Sequence, residues 1–169
     1  MKAVIRSTLF VRSVAIAVSF FAIDSGVAQS RNGVELYEVA FTFAMKLINQ
    51  GQIIADGKGA WSKHRRSPDQ ENEFIRLHGF EEYAKWHLGI DNRFPKNAKR
   101  RYKFPYGDFE NVHRCGLVAI QARARQYGYA DIGKAAAELE RAMKTRGTES
   151  QRRFNNRTPF DFIPVHLRP

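Results

Sequence analysis

The stretch Tyr102–Tyr127, YKFPYGDFENVHRCGLVAIQARARQY, decides the fold. It reads as a short strand, a tight corner at Pro105-Tyr106-Gly107 and a long helix over about 109–127. Asp108 is placed to cap that helix, Glu110 suits the positive end of its dipole, and Gly128 stops it. Projected at about 100° per residue, Val112, Cys115, Gly116, Leu117, Ala119, Ile120, Ala122, Ala124 and Tyr127 spread over more than half the circumference. A helix so widely apolar is expected at the centre of the molecule. The small side chains of Gly116, Ala119 and Ala122 allow a neighbouring element to come close. Arg114, Gln121 and Arg125 share a narrow polar stripe. Arg123 projects into the apolar arc, and two readings stay open for it. It is a snorkelling arginine favoured by the C-terminal dipole, or a buried guanidinium holding a carboxylate or an anionic ligand.

Upstream, Trp86-His87-Leu88-Gly89-Ile90 alternates as a strand does, and Lys99–Phe104 returns antiparallel beyond a polar loop containing Pro95, which gives a hairpin. Before it, Ser67, Pro68 and Gln70 spell a capping box with proline at the first helical position. Gly79 ends that helix, and Phe80 to Trp86 restarts as a short one with Phe80, Tyr83 and Trp86 on one face. Val34 to Gln50 has helical spacing, with Asn32 as its cap and Gly51 as its stop. Asp56-Gly57-Lys58-Gly59 is a turn and lacks the GxxxxGK[ST] pattern of a phosphate loop. Downstream, Asp131 caps a last helix to about Lys144, and the short break at Gly128 makes an αα-hairpin with the central helix. From Thr145 the composition is that of a linker. Phe154, Phe160, Phe162, Ile163 and Val165, with Pro159 and Pro164, form an extended apolar tail.

The expected class is α+β, mainly α: four or five helices around the central helix, with a small antiparallel β-hairpin. The segments divide as a leader over 1–29, an apolar helix and turn over 30–60, a core domain over 61–144 and a basic, aromatic tail over 145–169. The leader reads as a cleaved signal peptide, from Lys2, Arg6 and Arg12 ahead of the apolar run Val14–Ile23 and small residues at Gly26-Val27-Ala28. That predicts a periplasmic or secreted protein; the alternative is a mis-called start and a cytoplasmic chain. The apolar run is shorter than the roughly 20 residues that a membrane span needs, so no span is expected in the mature chain.

The 169 residues carry 28 Lys and Arg against 17 Asp and Glu, a formal charge of +11. An excess of that size favours acidic partners: nucleic acid, anionic lipid or acidic protein. It is concentrated on residues 61–101 and 141–169, while 102–140 is balanced. One cysteine excludes an intramolecular disulfide. Cys115 falls mid-helix on the buried side, where thiols are inert, and His113 projects about 200° away from it on a helix. A nucleophilic site near Cys115, His113 and His87 is therefore the weakest of the readings. His113-x-Cys115 lacks metal-ligand spacing on a helix, and no CxxC or HxxxH accompanies it, so neither metal nor cofactor is expected. Dinucleotide-loop, GxSxG and kinase patterns are absent.

The residues expected to bind an anionic ligand are Lys99, Arg100, Arg101, Lys103, Arg114, Arg123 and Arg125. The leading expectation is a non-catalytic basic module acting on an acidic or macromolecular partner. The alternative is a single-strand nucleic-acid binder, because Tyr102, Phe104 and Tyr106 interleave with the basic residues of 96–106. The plainer reading of those three aromatics, which share one face of a strand, is core.

The run Tyr102–Phe109 followed by Val112-His113-Arg114-Cys115-Gly116 resembles a block shared by a family of small uncharacterised bacterial proteins. Trp61-Ser62, Pro68, Glu71-Asn72, Gly79, Tyr83, Trp86, Leu88-Gly89, Lys99 and Asp131-Ile132 fit the same pattern, so the resemblance covers about 61–143. It implies a shared fold of helices around a small hairpin and carries no activity with it. At the level of architecture alone, the strand, proline corner and two helices look like modules of phage-derived head-maturation proteins. The chain departs from the family pattern at Arg125, where similar sequences commonly have Gly.

Overall fold

Strand β3 (His87–Asp91) is buried along its whole length and has partners on both sides. The computed structural model describes residues 33–156; the expected leader, and the tail beyond 156, lie outside the described residues. Strand β1 (Val34–Leu36) pairs antiparallel with β3 through Val34–Asp91 and Leu36–Gly89. The expected hairpin partner, β4 (Tyr102–Pro105), pairs on the other side through His87–Pro105 and Ile90–Tyr102. The hairpin is thus the larger part of a three-stranded antiparallel sheet. Gly89 lies under the ring of Phe104, where a Cβ would come within 2.8 Å of it. Phe104 itself takes the left-handed φ of 63°, which turns its ring across β3 toward Tyr129.

The first helix, α1, runs Glu38–Gln50; Val34–Leu36 go into the sheet first, where their backbone pairs with the β3 edge. Gly51, at φ 83°, ends it as expected. Strand β2 (Ile53–Ile54) follows, then the short α2 (Trp61–His64). Helix α3 (Pro68–Ala84) starts with the expected capping box: Ser67 Oγ accepts from Gln70 N and Gln70 Oε1 accepts from Ser67 N. It breaks at Gly79, whose φ of 81° and ψ of 171° separate the two expected helices. Lys99–Arg101 form a 3-10 turn instead of the start of a strand.

The largest departure lies at the central helix. α4 spans Arg114–Tyr127 and begins about five residues later than expected. Val112–His113 form β5, a two-residue strand parallel to β2, with Ile53 opposite Val112 and Ile54 opposite His113. Asp108 therefore caps no helix. Its Oδ1 accepts from the backbone N–H groups of Glu110 and Asn111, at 3.0 and 2.7 Å, and closes a tight turn in which Phe109 has φ 70°. Cys115, Gly116, Leu117, Ile120 and Ala124 face inward, while Ala122, Arg123, Arg125 and Tyr127 face outward. The apolar arc that argued for burial on all sides is a one-sided stripe. Gly116 does allow the close approach expected of it, with Tyr106 O 2.9 Å and the Trp61 ring 3.0 Å from where a Cβ would stand.

Helix α5 (Ala130–Asn155) folds back on α4 and also covers α1 and the sheet. Ile132, Ala135, Ala136, Leu139 and Met143 form its buried stripe, as their spacing predicts. The helix passes through the expected linker and continues more than two turns beyond Lys144. No proline lies between 105 and 159, and residues 145–155 have no helix breaker except Gly147. No described helix is long and apolar enough to cross a membrane.

Candidate functional site

Four side chains from three separate segments converge where β2 meets β5. Asp56 lies in the turn after β2, His64 ends α2, His113 ends β5, and Cys115 sits in the first turn of α4. Asp56 Oδ2 is 2.5 Å from His64 Nδ1, 2.7 Å from His113 Nδ1 and 3.0 Å from Cys115 Sγ. Its Oδ1 accepts from the Cys115 backbone N–H at 2.7 Å, an early-turn N–H that the helix leaves without an internal partner. The four ligand-type atoms lie within 4.8 Å of one another. This is a set of two imidazoles, one thiol and one carboxylate, which can hold a single metal ion.

The parallel pairing of β2 and β5 builds the site. It carries Asp56 to the junction of β5 and α4, and because His113 is extended instead of helical, its ring falls on the same side as Cys115. The cluster is buried on its Cys115 and His113 side and open toward His64: Cys115 is 1% exposed, and side-chain exposure is 5% at His113, 8% at Asp56 and 35% at His64. Burial by itself disfavours the charged carboxylate of Asp56 and pushes its pKa up, but the hydrogen bonds from the Cys115 thiol, His113, the Cys115 N–H and His64 outweigh it and hold the carboxyl far below its usual range. Burial, then the adjacent Asp56 carboxylate, pushes the Cys115 thiol up to about 12. Cys115 is therefore a thiol at neutral pH and a poor nucleophile, although it sits at a helix N-terminus. In a Cys–His catalytic pair the histidine touches the sulfur and the acid stands behind the histidine. Here the acid itself touches the sulfur, and His64 Nδ1 is 3.7 Å away.

A second carboxylate backs the first. Asp108 Oδ2 is 3.3 Å from His113 Nε2 and 3.6 Å from Arg66, whose Nε donates to the Asp108 carbonyl at 2.6 Å. His113 Nε2 is buried without a hydrogen-bond partner, so the Asp108 contact lies off the ring N–H direction. Arg114 closes another side, donating to Glu140 at 3.1 Å and reaching the Asp56 carbonyl at 3.4 Å.

The residues expected to bind anions do not form one surface. Lys99 pairs with Glu71 and donates to Asn72, and Arg101 donates to Phe94 O and Asn92 Oδ1, so both fasten the loop 92–101. Arg100 lies over the Phe94 ring at 4.5 Å, with Lys103 at 5.6 Å and Arg93 at 6.0 Å. Arg114 belongs to the buried cluster, and Gln121 of its expected stripe donates to the same Glu140. Arg123 and Arg125 are exposed on the outer side of α4, so of the two readings left open for Arg123 the buried guanidinium is not the one found. His87 is fully buried beside Tyr83 and Tyr102, apart from Cys115, and donates through Nδ1 to Tyr83 O at 2.9 Å. Tyr102, Phe104 and Tyr106 are core side chains, and Tyr106 Oη donates to Lys85 O at 2.6 Å.

No protein-family model, curated protein or solved structure matches this chain. What fold and site define is a class: a mainly helical α+β domain with a buried His/His/Cys/Asp cluster at a strand–helix junction. Of that cluster, sequence reasoning named His113 and Cys115 and missed Asp56 and His64. The only signal for the missing pair is that a turn aspartate and a histidine eight residues on flank a short helix.

Proposed function

We propose that the chain is a non-catalytic interaction module that docks on an acidic protein partner through the cationic collar around Phe94. The observation that carries this reading is the grouping of Arg100 and Lys103 over one aromatic ring, at 4.5 and 5.6 Å, on the loop and strand edge beside the sheet, with Arg93 at 6.0 Å held in an ion pair by Asp91. A ring that holds cations side by side presents them to one acidic surface. The excess of basic over acidic residues in the whole chain speeds encounter with such a partner. Single-strand binding is less favoured because Tyr102, Phe104 and Tyr106, which would stack on bases, are buried.

The test compares binding of the protein to a poly-glutamate chain and to single-stranded DNA at low salt, for the parent and for Arg100→Glu/Lys103→Glu. The expected result is preferential binding to the acidic polypeptide, weakened at least about tenfold by the double substitution and by physiological salt. Tighter binding to the DNA, or binding to poly-glutamate unchanged by the double substitution, overturns the proposal.

A further inference from the structure

We infer that Asp56, His64, His113 and Cys115 form a closed, four-coordinate site for a zinc-class divalent transition metal, whose role is to tie the 55–64 segment to the β5–α4 junction. The inference concerns residues other than those of the Phe94 collar and stands independently of it.

The first argument is convergence. Three atoms that ligate such metals, two imidazole nitrogens and a sulfur, point at one carboxylate oxygen from 2.5, 2.7 and 3.0 Å. A carboxylate oxygen has two lone pairs, and the other oxygen of Asp56 is already engaged by the Cys115 N–H. Three donors crowding one oxygen is poor hydrogen bonding. It is a natural starting point for four ligands around an ion. Bonds of about 2.0–2.3 Å in a tetrahedron set ligand atoms roughly 3.3–3.7 Å apart. The Cys115–His64 contact is already 3.7 Å, and the shorter contacts need only small side-chain rotations outward.

The second argument is the tautomer of His113. If Nδ1 carries the proton and donates to Asp56, then Nε2 presents a bare lone pair to the Asp108 carboxylate 3.3 Å away. If Nε2 carries it, the lone pair of Nδ1 faces Asp56. Either neutral tautomer leaves a conflict, and Nε2 is the buried polar atom that ends without a partner. A metal on Nδ1 removes it once the ring turns to bring Nε2–H onto Asp108, the carboxylate–histidine–metal arrangement that fixes ring orientation in such sites.

The third argument is charge and type. A thiolate and a carboxylate balance a dication, and the two neutral imidazoles complete a mixed N/N/S/O set suited to zinc and its neighbours, not to calcium or magnesium. Four protein ligands leave no open position, which makes the site structural instead of catalytic. Entry is through His64, the most exposed of the four. Metal binding displaces the thiol proton, and the released proton passes to solvent by that route.

The experiment titrates the full chain, stripped with a chelator, with Co(II) and Zn(II). Binding of one Co(II) per chain is expected, with the intense d–d absorption of a tetrahedral site and a thiolate-to-cobalt charge-transfer band, both displaced by Zn(II). His64→Ala, at the most exposed ligand, is expected to lose at least about a hundredfold in affinity. Cys115→Ser is expected to abolish the charge-transfer band while circular dichroism reports a folded chain. Asp108 is a positioning residue, so Asp108→Asn is expected to weaken binding about 10–100-fold with the cobalt spectrum unchanged. If His64→Ala fails to fold, protection of the Cys115 thiol from a disulfide reagent by Zn(II) in the parent chain replaces it. Absence of Co(II) binding by the folded parent, or Co(II) binding without a thiolate band, overturns the inference.

Discussion

His87 is the residue whose chemistry most directly couples to stability. It is fully buried in β3, and that burial depresses its pKa from an ordinary 6.5 to about 4; the hydrogen bond to Tyr83 O opposes the shift and Lys99 adds to it. The unfolded chain therefore binds this proton at a pH where the native chain does not. Stability is full above about 6.5 and falls as the pH drops from there toward 4, by at most about 3 kcal/mol. Urea unfolding at a series of pH values is expected to show that slope, and His87→Gln to flatten it. The residue scale also holds what was hardest to read beforehand. Asp56 belongs to a polar turn and His64 stands among Lys63, Arg65 and Arg66, and nothing local marks either one. Their chemistry comes from contacts with His113 and Cys115 that lie 51 to 59 residues away along the chain.

Among the elements, those with local punctuation were legible. The Ser67 capping box, the break at Gly79 and the stops at Gly51 and Gly128 are all where their residue types put them, since caps and positive-φ glycines are decided within a few residues. The start of α4 was not legible. Asp108 is a good cap for either a helix or a turn, and the choice falls to the pairing of Val112–His113 with Ile53–Ile54, a partner far off in sequence. One consequence was chemical: on a helix His113 points away from Cys115, and on a strand it points with it. The far end of α5 was also misread, because a polar, basic composition describes a solvent-exposed helix as well as a linker. The two halves of α5 accordingly differ in worth. Leu139→Ala, at a fully buried position, is expected to cost about 2–5 kcal/mol. Phe154→Ala, where the ring is 67% exposed, is expected to change stability by less than about 0.5 kcal/mol. Chemical denaturation of the two variants side by side measures the contrast.

For the molecule as a whole, the class was legible: helices around a small antiparallel sheet, with the αα-hairpin of α4 and α5 on one side. The basic composition, by contrast, said nothing of which cations are at liberty. Lys99 and Arg101 hold the loop together, and Arg114 braces the buried cluster, leaving Arg100 and Lys103 beside Phe94, and Arg123 and Arg125 on α4, as the outward members of the expected set.

The two-residue parallel pair of β2 and β5 has a kinetic consequence. It joins positions 59 residues apart, whereas α4 and α5 meet across a short turn and β3 and β4 across a loop of ten residues. Closing a long loop has an entropic penalty that must be met before its contacts give anything back, and a pair of only two residues returns little against it, so the pair and the cluster above it are expected to form late in folding. Weakening that junction, as in Asp56→Asn, is therefore expected to raise the unfolding rate and leave the refolding rate nearly unchanged in stopped-flow measurements. An ion bound there would act as a latch on an already folded body, lengthening its lifetime without hastening its formation.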